Sequence, residues 1–204
     1  NKMAQHARGS WFVIWNDDAV MQTQGWDQEI LRWQGQFRLL AFRTHQDHPY
    51  SIFPILPRKW FDMFGYMSPH PTQDGWLSQQ AYLLNILERI PVWVEHDRYD
   101  LTGNNLDDTY RNRKMLEGQI ADPRDFHSRE QTEIRHRDAA RMAQYLREQG
   151  RDMTFWDNIW KGRQDPWERL KQNDTNHQMV QFASSRQMQQ HFATTGPVLT
   201  PAAK

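Results

Sequence analysis

The chain has 204 residues, no cysteine, a mean hydropathy of -0.95 and 25 basic residues that balance 25 acidic ones. That length accommodates one core with an appendage and excludes two large domains. The lack of cysteine excludes a disulfide scaffold and thiolate metal ligands and favours a reducing compartment, so we expect a cytoplasmic protein. Zero net charge argues against nucleic acid as a partner, and the sequence has no apolar stretch of the roughly 20 residues that a membrane helix needs.

The amino-terminal residues predict a helix end followed by a buried strand. Gly9 follows residues 1–8 as a helix stop, and residues 11–15 (Trp-Phe-Val-Ile-Trp) form an apolar run. A helix that leads into a buried strand normally has earlier strands beside it. We therefore expect an upstream part of the fold that this chain does not include.

The apolar run leads directly into Asn16, Asp17 and Asp18. The carboxyl end of a strand is where open α/β sheets bind ligands, and these side chains offer the oxygen atoms that Mn²⁺ or Mg²⁺ prefers. Such a cation would in turn hold a diphosphate. The alternative is that the acids end the strand in a solvated turn, where paired acids are common.

The next stretch predicts short elements that are rich in aromatic residues. They are a helix after Asp27, strands at residues 37–43 and 51–56, and a helix at residues 58–64. A histidine-rich turn at residues 45–49 joins the two strands. Pro54 lies inside the second strand and predicts an edge strand or a bulge. Gly65 is placed to end the second helix.

Two polar residues then stand at the ends of elements. Asp74 begins a helix in which Leu77, Ala81 and Leu84 recur at helical spacing, and His96 directly follows an apolar strand at residues 91–95. By position alone, Asp74 is an N-cap and His96 is a surface histidine or one that pairs with a carboxylate. The alternative for His96 is that its imidazole completes a metal site with the acids.

The carboxyl-terminal half is charged and predicts helices. One covers residues 109–117, and a capping box that begins at Ser128 starts another that reaches about Gln149. Beyond it the chain becomes Gln-rich, with Trp156 and Trp160 near helical spacing and an Asp-Pro helix start at residues 165–166. We expect this arm to contact a protein partner or a second copy of the chain, or to cover the core, and its end to be disordered.

The order of these motifs resembles the second half of a family-2-like glycosyltransferase with the GT-A fold, closest to bacteriophage-encoded members. The resemblance covers about residues 1–108. It is carried by the helix before Gly9, the strand that ends at the Asp-x-Asp-like triplet Asn16-Asp17-Asp18, the segment Thr23-Gln24-Gly25-Trp26-Asp27, the helix start Asp74-Gly75-Trp76-Leu77, and His96 after a later strand. The order of the motifs carries more weight than any single one.

The resemblance implies an α/β protein with a partial GT-A-like, Rossmann-related mixed sheet flanked by helices, followed by a mainly helical extension. It divides the chain into a catalytic or acceptor half at 1–108, a helical extension at 109–150 and an arm at 151–204. It also implies that the amino-terminal, nucleotide-binding half of the fold is missing. The implied function is transfer of a sugar from a nucleotide-sugar donor to an unidentified acceptor, with Mn²⁺ or Mg²⁺ as cofactor.

The resemblance also implies roles for individual residues. The implied metal ligands are Asp18 and His96, the implied base that deprotonates the acceptor is Asp74, and the implied donor-binding residues are Asn16, Asp17, Asp18, Trp26 and Trp76. Both tryptophans would stack on a sugar ring, although most tryptophans in such a chain belong to the core.

Two other classes of function stay open on the sequence. The first alternative is a structural or assembly protein, such as a virion component built on a degenerate transferase core. The second alternative is a metal-dependent hydrolase that uses the same acids and some of the nine histidines.

Overall fold

A computed structural model of the chain describes residues 2–44, 50–97, 126 and 128–161. The described residues form a mixed α/β structure, as predicted. The helices are α1 (Lys2–His6), α2 (Trp26–Leu31), α3 (Arg58–Phe64), α4 (Gln73–Leu84), α5 (Arg129–Glu148) and α6 (Thr154–Lys161). The strands are β1 (Trp11–Val13), β2 (Ala19–Met21), β3 (Leu39–Arg43), β4 (Pro54–Pro57) and β5 (Leu87–His96). The elements predicted at 45–49, 109–117 and 165–166 lie outside the described residues.

The five strands form one mixed sheet in the order β1-β4-β3-β5-β2. β3 and β5 are parallel, and the other three pairs are antiparallel. The predicted edge position of the strand that contains Pro54 is wrong, because β4 lies between β1 and β3. Pro54 and Pro57 occupy the first and last positions of β4, and the first position of a strand is one that tolerates proline.

Helix ends follow the local sequence signals. Gly65 adopts φ 75° immediately after α3, in the left-handed region that suits glycine at a helix end. The Oγ of Ser128 accepts a hydrogen bond from the backbone N–H of Gln131, which confirms the predicted cap of α5. At α2 the residue that precedes the helix is Gly25, so Asp27 lies in the first turn and is not its cap.

The core has two parts, one on each face of the sheet. Neighbouring strand residues alternate between them: Leu39 and Leu56 belong to one part, and Leu40 and Ile55 belong to the other. The first part also contains buried side chains of α4, α5 and the start of α6, including Met142 and Trp156. The helix predicted as an extension therefore shares one core with the sheet.

β5 ends in a row of alternating buried side chains. Ile90, Val92, Val94 and His96 are buried, whereas the residues between them are partly or fully exposed. The pairing of β5 with β3 shifts between Ala41 and Arg43, where two additional residues of β5 are accommodated. No helix in the described part of the chain is long and apolar enough to cross a bilayer.

Candidate functional site

The short strand β2 follows β1 in the chain and pairs with the end of β5. The chain turns at Asp17 and Asp18 and continues as β2, which pairs with β5 so that Ala19 faces His96. The backbone N–H of Asp97 donates to the carbonyl of Asp18 at 2.8 Å. This antiparallel pairing is the reason that two residues 78 positions apart in sequence become neighbours.

The side chains of Asp18 and His96 form the centre of the site. Oδ1 of Asp18 lies 3.2 Å from Nε2 of His96, and the His96 side chain is only 4% exposed, compared with 29% for Asp18. The same Oδ1 atom is buried and makes no hydrogen bond within the described chain, and its contact with Nε2 of His96 is an ion pair if the imidazole is protonated. A buried carboxylate oxygen that lacks a hydrogen bond is costly unless a cation or a proton compensates its charge.

The spacing of these two atoms suits a divalent cation. Two ligand atoms at right angles, each about 2.1 Å from a cation, lie about 3.0 Å apart. A carboxylate and an imidazole are both suitable ligands for transition metals. Within the described residues, however, no group of three or more histidine, aspartate or glutamate side chains converges on one point. Water or oxygen atoms of a substrate would occupy the remaining coordination positions of the cation.

Asn16 and Asp17 lie at the same turn and are exposed. Their side chains are therefore accessible to a ligand that approaches the Asp18 and His96 pair from solvent. The structure thus brings Asp18 of the triplet next to His96.

An exposed aromatic side chain borders the pair. Trp15 is 40% exposed, and its ring lies 5.2 Å from the ring of Phe53, which in turn lies 4.9 Å from the His96 imidazole. The apolar run at residues 11–15 predicted a buried strand, so Trp15 was not predicted as a site residue. Its position directly before the triplet is the signal that identifies it.

Asp74 belongs to a different element. Its Oδ1 accepts a hydrogen bond from the backbone N–H of Gly75 at 2.8 Å, and within the described residues neither a hydrogen bond nor an ion pair joins it to Asp18 or His96. Ser78 lies one helical turn further along the same face of α4, and its Oγ accepts a hydrogen bond from the N–H of Ser51 at 2.9 Å. Asp74 is thus on the face of α4 that contacts the residues before β4.

The two tryptophans that were predicted to bind the donor differ in position. Trp26 is partly buried, and its ring lies edge-on to Phe42 at 6.4 Å. Trp76 is fully buried: it stacks on His70 at 6.2 Å, and the Arg135 guanidinium lies 5.0 Å from its ring. Trp76 therefore has no exposed face for a sugar ring in this structure.

The segment at residues 23–27 supports the strand that carries His96. Oγ1 of Thr23 accepts a hydrogen bond from the backbone N–H of Trp93 at 2.7 Å. Gly25 adopts φ 72° and introduces α2, a backbone conformation that favours glycine. Within this segment, Thr23 contacts β5, Gly25 introduces α2 and the Trp26 ring contacts β3.

No protein-family model, curated protein or solved structure matches the chain. Its chemistry is therefore inferred from its own residues.

Proposed function

We propose that this protein is a divalent-cation-dependent glycosyltransferase, which transfers a sugar from a nucleotide-sugar donor to a hydroxyl group of an acceptor. The observation that supports this most is the contact between Oδ1 of Asp18 and Nε2 of His96. Two ligand atoms of different chemistry lie 3.2 Å apart, and the buried carboxylate oxygen has no other polar partner within the described residues. The order of the sequence motifs is the second support.

In this proposal, Asp18 and His96 would hold Mn²⁺ or Mg²⁺ beside the end of β5. When bound, the cation offsets the negative charge that builds on a leaving diphosphate. Mn²⁺ is the better match, because Mg²⁺ prefers oxygen ligands throughout and here one ligand is an imidazole. The ligand atom of His96 would be a nitrogen of its neutral imidazole.

Other residues of the chain orient the donor. Asp17 and Asn16 are exposed at the same turn and would accept hydrogen bonds from sugar or ribose hydroxyl groups. Trp15 offers an exposed ring face next to them, whereas Trp76 does not. We therefore assign the stacking role that was expected of Trp76 to Trp15.

The acceptor hydroxyl needs a base. Asp74 is the candidate that the sequence resemblance provides, and its partial exposure leaves it accessible to a hydroxyl group. A carboxylate within hydrogen-bond reach of that hydroxyl would take its proton as the bond to the sugar forms. The proton leaves on Asp74, and the electron pair of the broken bond leaves with the diphosphate.

Cation binding tests the core of the proposal. Titration of the protein with Mn²⁺, followed by electron paramagnetic resonance of the free ion, should show one site. Asp18→Asn and His96→Gln should each weaken binding about tenfold or more. Asp62→Asn is the matched control, because Asp62 is an exposed carboxylate on α3 and its loss should leave Mn²⁺ affinity within about twofold.

Calorimetric titration with a panel of nucleotide-sugars, with and without Mn²⁺, tests whether the protein binds such a donor. A heat of binding that requires Mn²⁺ and is lost in Asp18→Asn supports the transferase function. If neither Mn²⁺ nor any nucleotide-sugar binds to the wild-type chain, the proposal is wrong and a structural or assembly role replaces it. If the chain releases sugar or phosphate from a polymer without a nucleotide donor, it is a hydrolase.

A further inference from the structure

A pocket lies at the opposite end of β1 from the Asp18 and His96 pair. Ser10 and Trp11 are on its wall at the start of the strand, whereas the triplet follows the strand's end. The pocket has a volume of about 220 Å³. Of the ten described residues that line it, Arg58 and Lys59 are basic and none is acidic. The proposed transferase chemistry does not use any of them.

Arg58 is held in place by neutral groups. Its Nε donates to the carbonyl of Gly9 at 2.7 Å, its Nη2 donates to the carbonyl of Ala7, and the guanidinium lies 4.9 Å from the ring of Phe12. In the described chain no carboxylate pairs with it, and its Nη1 has no protein acceptor. The positive charge of Arg58 is therefore oriented but not neutralised.

Lys59 lies beside Arg58 and is likewise unneutralised within the described residues. Its Nζ lies 5.2 Å from the centre of the Tyr145 ring, which is also on the pocket wall. The face of an aromatic ring positions an ammonium group but leaves its full charge available to an anion.

Gln34 adds a neutral donor to the same wall. Its Oε1 accepts hydrogen bonds from Oγ of Ser10 at 3.2 Å and from Nε1 of Trp11 at 3.1 Å. An indole nitrogen only donates, so this arrangement identifies the atom that faces it as the amide oxygen. The amide nitrogen Nε2 is then left as a donor, and it has no acceptor among the described residues.

Further positive charge lies behind the pocket. Arg151 donates to the carbonyl of Phe37, a wall residue, at 3.4 Å, and both Arg151 and Arg38 donate to the carbonyl of Asn85. Burial and, secondly, the charge of Arg38 lower the pKa of Arg151. Since the whole chain is neutral, this accumulation of basic groups is a local feature.

We propose that this pocket binds a small phosphate ester through Arg58, Lys59 and the amide nitrogen of Gln34. Two cations and a third donor match a phosphate group, which has three acceptor oxygens and about two negative charges, better than a carboxylate with two oxygens. The rings of Trp11, Phe37 and Tyr145 line the same pocket and suit a ring that carries the phosphate.

Calorimetry at low ionic strength with phenyl phosphate, inorganic phosphate, benzoate and phenol tests the site. Phenyl phosphate should bind most tightly, inorganic phosphate more weakly, and phenol not at all. If inorganic phosphate binds as tightly as phenyl phosphate, the rings make no contribution. The pocket is then a free-phosphate site, and the proposal of a phosphate ester as ligand is overturned. Benzoate that binds as well as phenyl phosphate would overturn the phosphate assignment.

Three variants locate the binding. Lys59→Gln should lower the affinity for phenyl phosphate about tenfold. Gln34→Glu should abolish binding, because it replaces the donor with a negative charge while a side-chain oxygen still accepts from Ser10 and Trp11. Arg141→Gln is the matched control: Arg141 is an exposed cation that lies 5.6 Å from the Phe64 ring and is not on the pocket wall. Its loss should change the affinity less than twofold.

The indole N–H signal of Trp11 in a ¹H–¹⁵N spectrum gives an independent measurement. It should shift on titration with phenyl phosphate in the wild type and in Arg141→Gln, but not in Gln34→Glu. An absent shift in the folded wild type, or equal loss of affinity in Lys59→Gln and Arg141→Gln, would overturn the proposal. Mn²⁺ binding at Asp18 is unaffected by either result, so the two proposals fail separately.

Discussion

The hydroxyl group of Tyr66 donates a 2.7 Å hydrogen bond to Oδ2 of Asp138, a buried carboxylate in the middle of α5. Arg137 contacts the other oxygen of the same carboxylate at 3.2 Å. Burial, followed by the hydrogen bond to Asp138 and the negative charge of Asp138, raises the pKa of Tyr66 to about 12. This contact joins the segment after α3 to the helix that covers it.

The raised pKa of Tyr66 predicts a loss of stability at alkaline pH. A phenol with an unfolded pKa of 10.0 and a folded pKa of about 12 contributes stability that is complete below pH 10 and is lost as the pH rises from 10 to 12. Urea unfolding of the wild type and Tyr66→Phe across this range measures the effect. The difference in unfolding free energy between them should shrink as the pH rises, and a constant difference would contradict the prediction.

Arg135 should be essential for stability although it is charged. Its guanidinium is fully buried between the rings of Trp76 and Phe126, and it donates to the carbonyl of Phe126 at 2.8 Å and to Oγ1 of Thr132 at 3.1 Å. Arg135→Ala should lower the unfolding free energy by about 3 kcal/mol or more, because it leaves a cavity and unpaired acceptors.

Two comparisons separate the causes of that loss. Arg129→Ala removes an arginine that is 92% exposed on the same helix and should leave the unfolding free energy nearly unchanged. Arg135→Met keeps much of the volume and should cost less than Arg135→Ala. Equal unfolding free energies for Arg129→Ala and Arg135→Ala would show that the buried guanidinium contributes nothing.

The shared core predicts that α5 unfolds together with the sheet. Met142 on α5 is fully buried in the cluster that also contains Leu39 of β3. Met142→Ala should lower the unfolding free energy by about 2–5 kcal/mol in a single cooperative transition. Met3→Ala is the control, since Met3 is 87% exposed. Two separate transitions would instead mark residues 109–150 as an independent extension.

The proposed base can be tested without disturbing cation binding. Asp74→Asn preserves the shape of the side chain but removes its ability to take a proton, so kcat for sugar transfer should fall about 10²-fold to 10⁴-fold. The Mn²⁺ affinity and the KM for the donor should stay near wild-type values. Asp62→Asn serves again as control. An unchanged kcat in Asp74→Asn would assign the proton transfer to another group.

The elements that the sequence predicted well are those with strong local signals. Gly65 after an aromatic run ended α3, and Ser128 capped α5, because both signals act within one helical turn. The strand at residues 91–95 was predicted from its apolar run. β2, in contrast, was not predicted, since three residues form a strand there only because β5 lies beside them.

The candidate site depends on contacts of the same long-range kind. Asp18 and His96 stand beside predicted strands, but they meet through the pairing of β2 with β5, which the sequence did not predict. The burial of Trp76 depends on α5, which packs against α4 from far along the chain. α4 therefore leaves Asp74 in its first turn partly exposed and buries the tryptophan two positions later, and no local pattern distinguishes them.

Strand register has a direct chemical consequence at the end of β5. The two extra residues that β5 accommodates beside β3 are an even number, so the alternation that buries Ile90 also buries His96. A single inserted residue before Val92 would bring Glu95 to the place opposite Asp18, and a single deletion would bring Asp97 there. Either slip would replace an imidazole with a second carboxylate. One residue of strand length thus separates a mixed nitrogen and oxygen ligand pair from a purely acidic one.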